Sequence, residues 1–326
     1  MAFPVASSPF AGANPSPAYS GVFIPVIWST KLIEKFYDAT VLAAISNTNY
    51  EGEISRHGDK VEIRTRPTIV IRDYEANMPL EVDRPSSNKV ELFIDQGKYF
   101  NLHLDDVMKI QSDINLMEQW SADASEQMKI EIDTDVLTFM VNKAAAANRG
   151  SAAGRISNNI NLGVAGTPVV MSRTNVIDYL ILMGQALDEQ NIPETGRWVV
   201  MPAWACSLLK RSDLRDASLT GDGTSVMRNG RLGMIDRFTV YSSNLLPTSA
   251  TDGVNGNDSD GAYYIYAGHK NALTFASQLT EMEVIRSERS FGNMVRGLQV
   301  YGRQVIDPTA MVQLYAAPAS GIGSPT

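Results

Sequence analysis

The sequence predicts an α+β protein organised around one long helix, and three patterns carry that prediction. Residues 53–100 alternate apolar and charged side chains in two arms, as the strands of a hairpin do. Residues 105–148 carry a helical stripe uninterrupted by Gly or Pro, and the residues after 272 fall into strands separated by Gly or Pro.

In the first hairpin arm Val61, Ile63 and Thr65 alternate with Glu62, Arg64 and Arg66; in the second, Val90, Leu92 and Ile94 alternate with Glu91 and Asp95. Each arm therefore has one apolar face. Two strands alone bury too little to be stable in water, so this face must lie on another surface. The proline-broken tip, Asp73 to Lys89, offers no core residues, which directs the hairpin towards a neighbouring subunit. Arg64, Arg66, Arg72, Asp73, Glu75, Glu81, Asp83 and Arg84 are the candidate contact residues. Such charges either keep a strand edge soluble or pair with the next subunit and fix its register. Along the C-terminal strands, Arg286, Glu288, Arg289, Arg296 and Arg303 form a second candidate row.

The long helix starts at Asp105 or Asp106, where a carboxylate caps free N–H groups and meets the positive end of the helix dipole. Val107, Ile110, Ile114, Met117, Ala124, Met128, Ile132, Val136, Phe139 and Met140 recur at helical spacings. Continued to Asn148, it would run on the order of 65 Å. A break near Ser121–Ser125, giving two ordinary helices, is the alternative. Ahead of the hairpin, Ser29 or Thr30 caps a helix over Lys31–Ile45.

After a Gly-, Ala- and Ser-rich loop from Gly150 to Thr167, elements alternate: a helix over Thr174–Gln190, a buried strand Arg197–Met201, a helix from Pro202 to Arg211, and strands Phe238–Tyr241 and Ala262–Ala267. This is the pattern of a mixed α/β lobe. The final strands, Leu273–Ala276, Thr280–Glu288, Met294–Ile306 and Ala310–Tyr315, are expected to form one antiparallel sheet that the long helix covers.

Composition narrows the function. A chain of 326 residues that is 44% hydrophobic can build a large core, and no run of eighteen apolar residues predicts a membrane span. Its net charge of -8 argues against a protein that grips nucleic acid through phosphates. The single cysteine, Cys206, excludes an internal disulfide and sits among Trp204, Ala205 and Leu208, as a buried apolar residue would. The first thirty residues carry no charged side chain and place prolines at positions 4, 9, 15, 17 and 25, unlike a secretory signal. Composition alone fits a disordered tail; Phe3, Phe10, Tyr19 and Phe23 favour an arm that docks.

Catalytic patterns are weak. Ser55, His57 and Asp59 would lie in a row along a strand, about 7 Å apart, instead of converging as a nucleophilic triad does. His103 and His269 lack ligand-spaced neighbours. The loop Gly221–Ser225 lacks the lysine and glycine spacing of a phosphate cradle. Asp252, Asn255, Asn257, Asp258 and Asp260 make an oxygen-rich loop without the Gly and closing Glu of an EF-hand. The expectation is a protein without catalytic residues, cofactor or metal.

The order of parts resembles the major capsid proteins of tailed bacteriophages, the Hong Kong 97-type fold. The strings that carry the likeness are Phe23-Ile24-Pro25-Val26-Ile27-Trp28, Gly58-Asp59-Lys60-Val61, and Gly297 to Tyr315 with its Val300-Tyr301-Gly302 and Asp307-Pro308 turns. The resemblance implies an N-terminal arm and first helix over 1–47, an extended hairpin (E-loop) over 48–100, a spine helix of the peripheral domain over 101–150, an axial domain over 151–271, and peripheral-domain strands and tail over 272–326. It further implies pentamers and hexamers in an icosahedral shell around double-stranded DNA held without sequence-specific binding. A virion location after synthesis in the host cytoplasm, a portal and, with only a short arm before the first helix, a separate scaffolding protein are expected with it. Some relatives join hairpin lysines to asparagines; Lys60, Lys89 and Lys98 have no identifiable partner, so no crosslink is expected. An encapsulin-like compartment shell is the nearest alternative, and a calcium-binding or hydrolytic protein using the Asp252–Asp260 loop is the alternative from another class.

Overall fold

The structure is a computed structural model that describes residues 40–49, 60–64, 67, 69–76, 78–79, 82–84, 89–105, 116–212, 233–248, 261–287 and 291–319. The N-terminal arm with most of the first helix, the Ser55–Asp59 row, the 221–225 and 252–260 loops and the C-terminal tail lie outside the described residues.

The chain enters through a short helix α1 (Leu42–Ile45) and a hairpin of β1 (Lys60–Arg64) and β2 (Lys89–Phe93). It continues into β3 (Gln96–Asp105) and the long helix α2 (Leu116–Phe139). The mixed lobe follows: β4 (Val169–Met171), α3 (Val176–Glu189), β5 (Arg197–Met201), α4 (Ala203–Arg211), β6 (Met234–Ile235), β7 (Phe238–Ser242) and β8 (Tyr263–His269). Strands β9 (Leu273–Arg286), β10 (Gly292–Val305) and β11 (Met311–Pro318) close the chain.

Among the described residues three sheets form, ordered β1-β2, β3-β10-β9 and β4-β11-β8-β5-β7-β6. The largest is covered on both sides, so its strands read as apolar runs without alternation. Every residue of β5 is buried. Val199 and Met201 face a core with Leu180, Met183 and Leu187 of α3 and Leu208 and Leu209 of α4. Trp198 and Val200 face the opposite core, with Val136, Leu137 and Met140 from the end of α2.

Two expectations change. Residues 96–105 are one strand, where the sequence placed 96–100 in the hairpin and 101–105 in the spine-helix region: β3 pairs antiparallel with β10 from Gln96↔Tyr301 to Asp105↔Gly292. Its alternating burial is the period-2 signal, masked in the sequence by the absence of a following Gly or Pro. The last strand, β11, leaves the expected C-terminal sheet and joins the mixed lobe, antiparallel to β8 and parallel to β4.

The long helix ends earlier than expected, at Phe139 instead of Asn148. Its described part, Leu116–Phe139, has 24 residues and spans about 36 Å. It passes through Ser121–Ser125 without a break, and there the Ser125 hydroxyl donates to the Ser121 carbonyl one turn back at 2.9 Å. It stops where Asn142 takes a left-handed conformation (φ 59°), which asparagine tolerates. Gln313 fixes that turn, accepting from the Asn142 N–H at 2.7 Å and donating to its side-chain oxygen at 3.2 Å. Asp133, nearly inaccessible in the middle of α2, accepts the Val41 and Leu42 N–H groups at 3.0 Å each and anchors α1.

Close approach of the hairpin to β10 requires a glycine. A Cβ on Gly302 would lie 2.3 Å from the Phe93 carbonyl oxygen and 3.1 Å from Ile94 Cγ1. Gly302→Ala is therefore expected to cost about 1–3 kcal/mol by overpacking, seen as a lower urea midpoint; an unchanged midpoint would show that the hairpin root can move aside.

In the mixed lobe Glu189 accepts the N–H of Ile156 at 2.7 Å, that of Ser157 at 3.1 Å and the Gln185 amide at 3.0 Å. The Ile156 N–H foremost, with Ser157 and Gln185, holds this carboxyl down at about 2, against an ordinary 4.5. A depressed folded value means that its contribution to stability is complete above about 4.5 and is lost as pH falls towards 2. Glu189→Gln should flatten the acid-denaturation curve in that window, and an unaltered curve would refute the assignment.

Candidate assembly surface

The root of the hairpin is stabilised by its own chain. Val61↔Leu92 and Ile63↔Val90 are directly paired and share one face. Ile63, Leu92 and Ile94 are buried against Ala276, with Val61, Val300 and Ile306 packed around them. The apolar face thus lies on the β9–β10 sheet of the same molecule, which corrects the sequence-based inference that this face needs another subunit.

The opposite face is a closed set of charges. Glu62 and Glu91 are directly opposed, an arrangement that would repel. Lys89 contacts them at 2.9 and 3.5 Å, and Lys60 at 3.3 and 3.4 Å. The Lys89 hydrogen bond, then that of Lys60, lowers the Glu62 carboxyl from its ordinary value. Arg64 sits at the end of this ladder, exposed.

Beyond the root the limbs carry exposed apolar surface. Ile69, Val70, Ile71, Tyr74 and Val82 are exposed, Ile71 at 93% and Val82 at 87%. Soluble chains rarely expose so many large apolar side chains together without a partner surface. An ion pair at 3.1 Å joins Arg72 on the first limb to Asp83 on the second. Asp73, Glu75 and Arg84 are exposed beside it, whereas Arg66 and Glu81 lie outside the described residues. Sequence reasoning named the charges and missed the apolar run; the signal was the β-branched string Ile69-Val70-Ile71 before the first tip carboxylate.

The sheet β3-β10-β9 offers the second surface. One face packs on α2 through Val295, Leu102 and Leu104 around Trp120. The other holds the hairpin root and then opens into a groove of about 400 Å³ lined by Tyr99, Asn101, Glu281, Glu283, Arg296 and Leu298. Arg286 is exposed at the end of β9, and Phe291 is 80% exposed at the start of the return. Glu288 and Arg289, like Phe3, Phe10, Tyr19 and Phe23, lie outside the described residues. Arg303 does not belong to this row: its side chain is largely buried in an ion pair with Asp135 and stacks 4.9 Å from the Phe139 ring.

The other sequence candidates are not brought together. His103 lies in β3 opposite Met294, and His269 ends β8, its Nδ1 accepting the Asn271 N–H at 3.2 Å. Burial raises the Cys206 thiol above its ordinary value, as befits a packing residue. Among the described residues no group of three or more His, Cys, Asp or Glu side chains could hold a metal ion.

Residues 89–314 match the profile of the family described as phage capsid protein. The chain belongs to that family. Among solved structures, one of Mycobacterium phage Che8 is 26% identical, with a TM-score of 0.73 over 91% of this chain and 98% of that one. The capsid structure of the cyanophage P-SCSP1u is 14% identical, with a TM-score of 0.69 over 91% of this chain and 94% of that one. The asymmetric unit of the bacteriophage PhiM1 mature capsid is 14% identical, with a TM-score of 0.62 over 97% and 99%. No curated protein matches. The fold of this capsid protein is the Hong Kong 97 type, α+β with a long helix, an extended hairpin, a mixed lobe and returning strands.

Proposed function

We propose that this capsid protein is the repeating subunit of an icosahedral shell, closing into pentamers and hexamers around double-stranded DNA. The observation that carries the reading is the exposed apolar run Ile69–Ile71 and Val82, held out on a hairpin whose root is already satisfied by its own sheet. Surface of this kind is stable in water only when a neighbour covers it, and contacts that close head-to-tail give rings. On this reading residues 1–47 form the arm, 48–100 the extended loop, 101–150 the spine region, 151–271 the axial domain, and 272–326 the returning strands and tail. The role is structural, without catalysis or cofactor. A net charge of -8 suits a wall that must release its genome, so DNA is held without base-specific contacts. A separate scaffolding protein and a portal are further partners, with synthesis in the host cytoplasm preceding assembly.

Electron microscopy of the purified protein, alone and with lysate of its source, is the test. Closed shells or rings of five and six support the reading, and a uniform monomer in both conditions overturns it. Arg72→Glu and Arg84→Glu are expected to reduce the yield of shells several-fold while leaving the subunit folded by circular dichroism. Normal shells from both variants would remove these arginines from the interface.

A further inference from the structure

The assembly reading leaves open what receives the hairpin limb, and the outer edge of β9 has the matching pattern. In the order β3-β10-β9, strand β9 ends the sheet. Among the described residues its outer side is paired only at its start, where Asn47 accepts the Phe275 N–H at 3.1 Å and donates to the Leu273 carbonyl at 2.8 Å. From Ala276 to Arg286 the edge carries no lysine or proline, the usual guards against strand addition. Its exposed side chains alternate: Met282 (55%) and Val284 (61%) point to one face, Glu281 and Glu283 to the other.

The limb Ile69-Val70-Ile71-Arg72 has the same period. In an extended segment Ile69 and Ile71 share one face, and Val70 and Arg72 share the other. Ile69 is 72% exposed and Ile71 93%, and within the described residues the limb is in no strand despite three consecutive β-branched side chains. Laid along β9, it would set Ile69 and Ile71 against Met282 and Val284, and Arg72 against Glu281 or Glu283. Pro67 fits as well, because a strand added there is an edge strand, where proline is tolerated.

We propose that residues 69–72 of one copy add as a fourth strand along the outer edge of β9 in a neighbouring copy. This rests on the assembly reading above and specifies its contact. Backbone hydrogen bonds to the edge supply affinity, and the alternating side chains select face and register. Antiparallel self-pairing of two β9 strands centred on Met282 would instead oppose Glu281 to Glu283.

The experiment is disulfide trapping in assembled shells, for which the native cysteine is suitably buried. Ile71→Cys is combined in turn with Met282→Cys and with Val284→Cys, and Val70→Cys with Val284→Cys is the opposite-face control. Facing cysteines on adjacent strands lie within disulfide reach, whereas cysteines on opposite faces do not. Inter-subunit ladders on a non-reducing gel from at least one Ile71 pair, with little from the control, are the expected result. Shells that form normally and show no ladder from either Ile71 pair would overturn the strand addition while leaving the assembly reading intact. Equal crosslinking of the Val70 control would also overturn it, as a limb without a fixed face. If the native chain forms no shells, both readings fall together. As a second line, Glu281→Arg with Glu283→Arg should cut shell yield at least tenfold, and adding Arg72→Glu should restore part of it; no loss in the double variant counts against the contact.

Discussion

Ile69→Asp combined with Ile71→Asp is expected to abolish closed shells while leaving the subunit as stable as before. The two side chains are exposed in the single chain, so their removal takes no apolar contact from its core. Surface changes of this kind usually alter stability by less than about 0.5 kcal/mol. In the shell each isoleucine would be buried, a gain of roughly 1.5–3 kcal/mol per side chain, and aspartate there would instead carry an uncompensated charge into an apolar contact. The loss recurs at every copy, so a modest penalty per contact becomes failure of the whole shell. Leu92→Ala provides the contrast. Leu92 is fully buried at the hairpin root against Ala276, so its truncation should cost about 2–5 kcal/mol in the isolated subunit. Electron microscopy for shells and urea denaturation for stability separate the two. Normal shells from the double aspartate variant would mean that the exposed run is not an assembly surface, whatever the family membership implies.

The difference between Leu92 and Ile71 also shows which parts of the structure were legible in the sequence. Period-2 alternation named the β1 and β2 pairing correctly, because each face has a distinct chemistry: apolar towards Ala276, charged towards solvent. It could not say which molecule supplies the apolar partner, since a face pattern records burial and not its source. The mixed lobe was legible for a related reason. A fully buried strand such as Arg197–Met201, flanked by helices with clear ends, leaves few alternatives. The end of the long helix was not legible. The partner of the strand Gln96–Asp105 is β10, nearly two hundred residues later, and the stop at Asn142 depends on Gln313 from β11. The destination of β11 is likewise a tertiary choice: its residues are buried whichever sheet they join. Charged residues were the least legible. Arg72, Arg296 and Arg303 look alike in sequence, yet the first holds the tip limbs together, the second lines an open groove and the third is buried against α2.

That third arginine leads to the other large expected effect. Asp135 on α2 accepts the Tyr301 hydroxyl at 2.8 Å and forms an ion pair with Arg303, both from β10. Only 15% of the Arg303 side chain and 23% of that of Asp135 remain exposed, and the guanidinium also lies over the Phe139 ring. Burial shapes both partners of the carboxylate: it lowers the Arg303 guanidinium from its ordinary value and pushes the Tyr301 phenol up to about 12. Asp135→Ala would leave a mostly buried cation without its counter-charge and a hydroxyl without its acceptor, at a cost of about 3 kcal/mol. Replacing the pair by apolar side chains of similar size, Asp135→Leu with Arg303→Met, should recover most of that loss, because the desolvated charges disappear together. Urea midpoints of Asp135→Leu, of Arg303→Met and of the double variant form the cycle that measures this. Additive losses would mean that the residues act independently, and that packing of Phe139 and Tyr301 alone fixes α2 to the sheet. A recovered double variant would locate that joint in the ion pair and predict that Asp135→Ala shells, where they form at all, are the first to open on warming.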